Sequence, residues 1–165
     1  MNIKQHNQFD IGIVVPCYNE MDRIQLSKFS EFLISNDFIF FCFVNDGSTD
    51  GTQKILADFV NLNPERSQLI NLSKNQGKAE AVRRGVNTLL KSSKFQLVGY
   101  WDADLAAPLT EIRGFIQKFK NNNELKAVCG SRILRLGSSI RRSVFRHYFG
   151  RIFATIVSNI LNIPV

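Results

Sequence analysis

The stretch FIFFCFVNDGSTDG, residues 38–51, decides the fold. Residues 38–44 are apolar without alternation, so a strand built from them has both faces covered, as strands of a parallel sheet between helical layers do. The polar run Asn45-Asp46-Gly47-Ser48-Thr49-Asp50-Gly51 then supplies turn chemistry at the strand's carboxyl end. In open α/β sheets that edge is where ligands bind.

Working outward, similar strand patterns occupy residues 11–16 (IGIVVP), 68–72 (QLINL), 96–101 (QLVGYW) and 127–130 (AVCG). Helical spacing fills the intervals. Ile24, Leu26, Phe29, Phe32 and Leu33 mark one helix, and Ile55, Leu56, Phe59 and Val60 a second. Ala79, Val82, Val86, Leu89 and Leu90 mark a third, and Ile112, Phe115, Ile116 and Phe119 a fourth. Strands alternating with helices over short connections predict an α/β fold: right-handed crossovers, a mainly parallel sheet and helices on both faces. Four polar clusters then fall at strand ends on one edge: Tyr18-Asn19-Glu20, Asn45 to Ser48, Asn75-Gln76-Gly77-Lys78 and Asp102-Ala103-Asp104.

A chain of 165 residues that is 44% hydrophobic supports one compact domain with a real core. The scattered Cys17, Cys42 and Cys129 form no metal-type pair, and they read as small buried hydrophobes in a reducing compartment. Residues 1–9 are polar and lack the apolar core of a signal peptide. No uninterrupted apolar run approaches the ~18 residues of a membrane-spanning helix. The expectation is a cytoplasmic protein at the cytoplasmic face of a membrane.

The net charge of +7 is local. Acids and bases cancel up to Glu124, whereas beyond it stand Lys126, Arg132, Arg135, Arg141, Arg142, Arg146 and Arg151 with no acid. That is an anion-binding or membrane-facing surface. From Arg141 the apolar pairs Val144-Phe145, Tyr148-Phe149, Ile152-Phe153, Ile156-Val157 and Ile160-Leu161 wind a broad stripe around a basic amphipathic helix, over residues 136–165. Such a helix is buried in a core or laid on a membrane, where arginines meet lipid phosphates. Nucleic acid fits less well, because the aromatics lie on the apolar stripe and not among the arginines.

Asp102 and Asp104, two apart at a strand end, can share one hard divalent cation, Mg²⁺ or Mn²⁺, which would neutralise a diphosphate leaving group. The competing reading makes Asp104 a helix cap and Asp102 a turn former. Asp46 can accept hydrogen bonds from a base edge, with Gly47 letting backbone come close; Asp50 or Ser48 can cap the next helix. Asn75-Gln76-Gly77-Lys78 opens a helix without being a phosphate loop of the GxxxxGK[ST] type, which needs glycine at Leu72 and Ser or Thr at Ala79. Lys78 reaches a phosphate or is merely solvated. No GxGxxG stands in the chain, which argues against a dinucleotide site.

Together these residues resemble family 2 glycosyltransferases of the GT-A fold. The resemblance rests on Val15-Pro-Cys-Tyr-Asn-Glu20, Val44-Asn-Asp-Gly-Ser-Thr-Asp-Gly-Thr52, Asn75-Gln-Gly-Lys78 with Ala81, Val82 and Gly85, Asp102-Ala-Asp104, and Gly130-Ser-Arg132, in the family's order and spacing. It implies a single GT-A domain over 1–165, with a nucleotide-sugar-binding core at 10–135. It also implies that Pro16, Tyr18, Glu20, Asp46, Lys78 and Asp102 line the nucleotide site, and that Asp102 and Asp104 hold the metal.

The segment Asp-Ala-Asp-Leu-Ala-Ala-Pro108 and the arginines are similar to those of polyprenyl (dolichyl or undecaprenyl) phosphate glucosyl- and mannosyltransferases, a resemblance that implies Arg132 and Arg142 hold the acceptor phosphate; Arg146, from the basic stripe, is expected to join them. Catalysis would fall to Asp102, Asp104 and Arg132. Ala106, where some mannosyl members carry glutamine, tilts the donor from GDP-mannose toward UDP-glucose. Those members usually continue beyond the position of Val165, so the expectation is a C-terminally truncated piece. The alternatives are a nucleotide-sugar-binding module without turnover, a transferase with a saccharide acceptor, and a nucleotidyltransferase, whose Gly-rich basic loop is absent from residues 14–21.

Overall fold

The computed structural model describes residues 11–130. Alternate residues of a strand point to opposite faces, and the sequence of β2 (Ile39–Asn45) shows the consequence. Ile39, Phe41 and Phe43 enter one core; Cys42 and Val44 enter the other, with Phe40 packed at its margin. Both faces are covered, so alternation of polarity disappears.

The order along the chain is β1 (Ile11–Cys17), α1 (Leu26–Ile34), β2, α2 (Thr52–Leu62), β3 (Ser67–Asn71), α3 (Lys78–Lys91), β4 (Leu97–Tyr100), a 3₁₀ turn (Leu109–Glu111) and α4 (Ile112–Asn121). The strands form a parallel four-stranded sheet in the order β3-β2-β1-β4. Phe29 and Phe32 of α1, Leu56 and Phe59 of α2 and Ile112 of α4 cover the face shown by Ile11, Ile13 and Val15. Edge-to-face rings fill this layer, with Phe29 5.1 Å from Phe41 and Phe43 5.2 Å from Phe59 between centroids. The opposite face belongs to α3, through Ala81 and Leu89 against Val14, Cys42 and Val44. There Gly85 permits contact with the strands: a methyl group at this position would lie 2.4 Å from Val14 Cγ1.

The path moves outward from β1 to β3 and then returns, through α3, to the other side of β1. The β1–β4 boundary is therefore the topological switch point, and the crevice beyond its carboxyl ends is the expected ligand site. Between α1 and the 105–113 segment lies a separate groove of about 450 Å³ lined by Phe32, Leu105, Leu109 and Arg113, where Arg113 Nε donates to Asn36 Oδ1 at 3.0 Å. It faces α1 and not the strand ends.

Two expectations need correction. Residues 127–130 form no strand, being coil throughout 125–130. Ala127-Val128-Cys129-Gly130 is a short apolar run closed by glycine, too brief for periodicity to identify and without a residue that must be buried. Cys129 is exposed, whereas Cys17 and Cys42 are buried as expected; burial pushes the Cys17 thiol strongly up and the Cys42 thiol up to about 11. The basic helix expected at 136–165, with Arg132, Arg142 and Arg146, lies outside the described residues. Among the described residues no helix is long and apolar enough to cross a membrane.

Candidate functional site

Proline shapes the crevice. Odd-numbered residues of β1 direct their backbone groups to β2 (the Ile11 amide donates to Phe38 O at 3.2 Å) and even-numbered ones to β4 (the Trp101 amide donates to Val14 O at 2.9 Å). Pro16 takes the next position on the β4 side, has no N–H to offer, and ends the ladder there. The β1 and β4 chains are thus free to diverge at Tyr18 and Asp102.

The two loops after β1 and β2 are tied to each other. Asn19, at φ 51°, turns its amide to Ser48 Oγ (3.0 Å), while its Oδ1 accepts the Thr49 amide (2.9 Å). Asparagine tolerates this left-handed conformation better than most residues. The Glu20 amide donates to Thr52 Oγ1 (2.8 Å) and the Met21 amide to Asp50 Oδ2 (3.2 Å). Asp50 Oδ1 accepts the Thr52 amide (2.9 Å) and hydroxyl (2.5 Å), and that hydroxyl holds the Asp50 carboxyl below its usual range. Neither capping candidate is the N-cap of α2, which is Gly51 without a side-chain cap bond: Asp50 stands one residue before it and accepts the Thr52 amide, and Ser48 serves the first loop.

Asp46 is 2% exposed, and its carboxylate accepts the amides of Gln76 (2.9 Å) and Gly77 (2.8 Å). The end of β2 thus fixes the loop that opens α3. Gly77 there has φ 92°, open to glycine and strained for other residues. Asn45 joins the next strand, its Nδ2 donating to Asn71 Oδ1 at 3.0 Å.

That loop delivers Lys78. Its Nζ lies 2.5 Å from Asp102 Oδ1 and 5.6 Å from the centre of the Tyr100 ring. Asp104 is exposed, and its Oδ1 accepts the Ala106 amide at 3.0 Å, an Asx turn and not a helix cap. Glu20, only 14% exposed, pairs through Oε1 with Arg23 at 2.9 Å, while Oε2 is buried without a hydrogen-bond partner among the described residues. Burial pushes the Glu20 carboxyl above its ordinary value; Arg23 opposes the shift, and the charges of Asp104 and Asp50 add to it.

The expected nucleotide residues Pro16, Tyr18, Glu20, Asp46, Lys78 and Asp102 all belong to the carboxyl edge. Lys78 meets Asp102 directly, whereas Asp46 faces backbone and Tyr18 is 43% exposed. Among the described residues no cluster of three or more His, Cys, Asp or Glu could cage a metal. Asp102 and Asp104 nevertheless fit a Mg²⁺ or Mn²⁺ ion, which takes one or two carboxylates and completes its shell with water and substrate phosphates. Asn19, Asn45 and Thr52 were not singled out from sequence, although Asn19 and Asn45 lie inside polar clusters that were and Thr52 ends the Val44–Thr52 motif.

The chain is similar in sequence and fold to known proteins. The glycosyl transferase family 2 model matches residues 12–162. The chain belongs to that family. It is 31% identical over 137 residues to the poly-beta-1,6-N-acetyl-D-glucosamine synthase of Staphylococcus epidermidis, covering 82% of this chain and 32% of that protein. It is 31% identical over 153 residues to the dolichyl-phosphate beta-glucosyltransferase of Dictyostelium discoideum, covering 83% of this chain and 45% of that one. The structure of the Pyrobaculum calidifontis mannosyltransferase PcManGT with GDP-Man and Mn²⁺ superposes with a TM-score of 0.53 at 26% identity, over 66% of this chain and 32% of that chain. The chain therefore spans less than half the length of these relatives. Family membership and the GT-A-like parallel sheet bear out what the motifs implied.

Proposed function

We propose that this family 2 chain transfers a hexose from a nucleotide-sugar, UDP-glucose or GDP-mannose, to a polyprenyl phosphate with inversion at the anomeric carbon. The observation that carries the reading is the Lys78–Asp102 ion pair at the β1–β4 switch point, with Asp104 two residues on in sequence, in a chain similar to a mannosyltransferase seen with GDP-Man and Mn²⁺. Tyr18, Glu20 and Asp46 would bound the nucleoside side of the crevice. A bound Mg²⁺ or Mn²⁺ on Asp102 and Asp104 would neutralise the diphosphate.

An oxygen of the acceptor phosphate forms the new bond to the anomeric carbon as the bond to the nucleoside diphosphate breaks, and the electron pair leaves with the diphosphate. A phosphate acceptor is already anionic and needs little base catalysis. Arg132, Arg142 and Arg146, outside the described residues, supply guanidinium groups suited to hold it and to seat the chain at a membrane surface. The dolichyl-phosphate relative supports the lipid acceptor; the poly-N-acetylglucosamine synthase relative supports a saccharide acceptor as the second reading.

Calorimetric titration with each donor, with and without Mn²⁺, on the wild type and Asp104→Ala tests the donor site. Metal-dependent binding of one donor, lost in the variant, is expected. Transfer of radiolabelled sugar to an organic-extractable product tests the lipid acceptor, and a product that stays in the aqueous phase would favour the saccharide. Absence of donor binding by folded protein would sink the reading.

A further inference from the structure

We propose that Lys78 is an exchangeable internal cation, seated on Asp102 when no metal is bound and driven off it when a divalent ion arrives; this rests on the metal-binding reading of Asp102 and Asp104. The Lys78 ammonium touches Asp102 Oδ1 at 2.5 Å on one side and lies 5.6 Å from the centre of the Tyr100 ring on the other. Both are groups that attract a cation. A Mg²⁺ ion bound to Asp102 would sit about 2.1 Å from a carboxylate oxygen. The ammonium and the metal would then compete for one carboxylate, with strong mutual repulsion.

The protein side of the exchange is already built. Lys78 is the first residue of α3, and its loop is held by the two backbone hydrogen bonds to Asp46, so the base of the side chain stays fixed while its tip moves. The side chain is 57% exposed and its partner 38%, which leaves the ammonium a solvated path away from the carboxylate. A flexible four-carbon stem with a point charge suits such movement, as a planar guanidinium would not. Once released, the ammonium remains beside the metal's ligands, where a diphosphate brings the negative charge that re-engages it.

The test is the affinity for Mn²⁺ alone, measured by electron paramagnetic resonance on the wild type, Lys78→Met, Lys74→Met and Asp102→Asn. Lys74 is an exposed lysine of the same loop, so its replacement removes an equal charge away from the ion pair. Lys78→Met is expected to bind Mn²⁺ about fivefold tighter than the wild type, the worth of one exposed ion pair. Lys74→Met should match the wild type, and Asp102→Asn should lose the site. Unchanged or weaker binding by Lys78→Met, with Asp102→Asn still defective, would overturn the exchange and leave the metal reading standing. Equal gains in both lysine variants would also overturn it, as a general charge effect. Failure of both wild type and Lys78→Met to bind millimolar Mn²⁺ would overturn the metal reading and the exchange together.

Discussion

The Asp46 carboxylate accepts the Gly77 amide at 2.8 Å, joining the end of β2 to the residue before α3 across 31 positions of sequence. With the Gln76 amide on its other oxygen, Asp46 sets the direction from which Lys78 enters the crevice. A residue expected to read a nucleotide base is first of all a clamp on backbone. The roles are compatible, since a carboxylate has lone pairs beyond those two bonds.

Replacing Asp46 by Asn turns one acceptor into a donor that faces a backbone amide. The site is buried, so water cannot repair the mismatch, and a loss of about 1–3 kcal/mol of stability is expected. Faster hydrogen exchange at Gln76 and Gly77 should accompany it. Unaltered exchange at those two amides would show that the loop holds itself.

Thr52→Val keeps the shape of a fully buried side chain while deleting the acceptor for the Glu20 amide and the donor to Asp50. A loss of roughly 1–3 kcal/mol is expected, mostly from the orphaned Glu20 amide, since the exposed Asp50 carboxylate keeps the amide of residue 52 and water. The loop carrying Tyr18 and Glu20 should loosen, so nucleotide affinity should fall more than it does in an exposed control such as Thr88→Val. Equal affinities in the two variants would separate this tie from the site.

The sequence makes the sheet legible because burial on two faces leaves a signature inside each strand, and residues 38–44 need no partner to show it. Strand ends are legible for the same reason: polar residues begin where Val44, Cys17 and Trp101 stop. Partners across loops are a different matter. Asn19 meets Thr49, and Asp46 meets Gln76, because the order β3-β2-β1-β4 places those loops side by side, and the partners of each pair stand 30 positions apart in sequence. The apolar run at 127–130 shows the opposite failure, a local pattern with no strand behind it.

Gly85→Ala tests the closeness of α3 to the sheet. Alanine favours a helix interior by about 1 kcal/mol over glycine. Here its methyl would stand 2.4 Å from Val14 Cγ1 and 3.0 Å from Val44 Cγ2, both on stiff β-branched chains of central strands. Overpacking of this kind costs about 1–3 kcal/mol, so a net loss is expected. Combining Gly85→Ala with Val14→Ala should cost less than the two changes summed, measured by denaturant unfolding. Strict additivity would mean that α3 shifts away and that the contact is not what holds it.

Glu20 gives the site a pH signature of definite sign. Its folded value lies above the ordinary 4.5, chiefly through burial. From about that ordinary value up to the raised one, the folded chain keeps a proton that the unfolded chain has already released. Stability therefore falls as pH rises through this window and stays lowered above it. Glu20→Gln has no proton to lose, so the melting temperature of the variant relative to the wild type should climb through the same window and then level off. Titrating groups that do not feel the Glu20 charge act alike on both proteins and cancel in the difference. A difference that stays flat, or that shrinks with rising pH, would mean that the Arg23 pair outweighs burial and that Glu20 is charged at no cost to the fold. The expected rise would instead mark a half-paired carboxylate, with Oε2 buried and without a hydrogen-bond partner among the described residues.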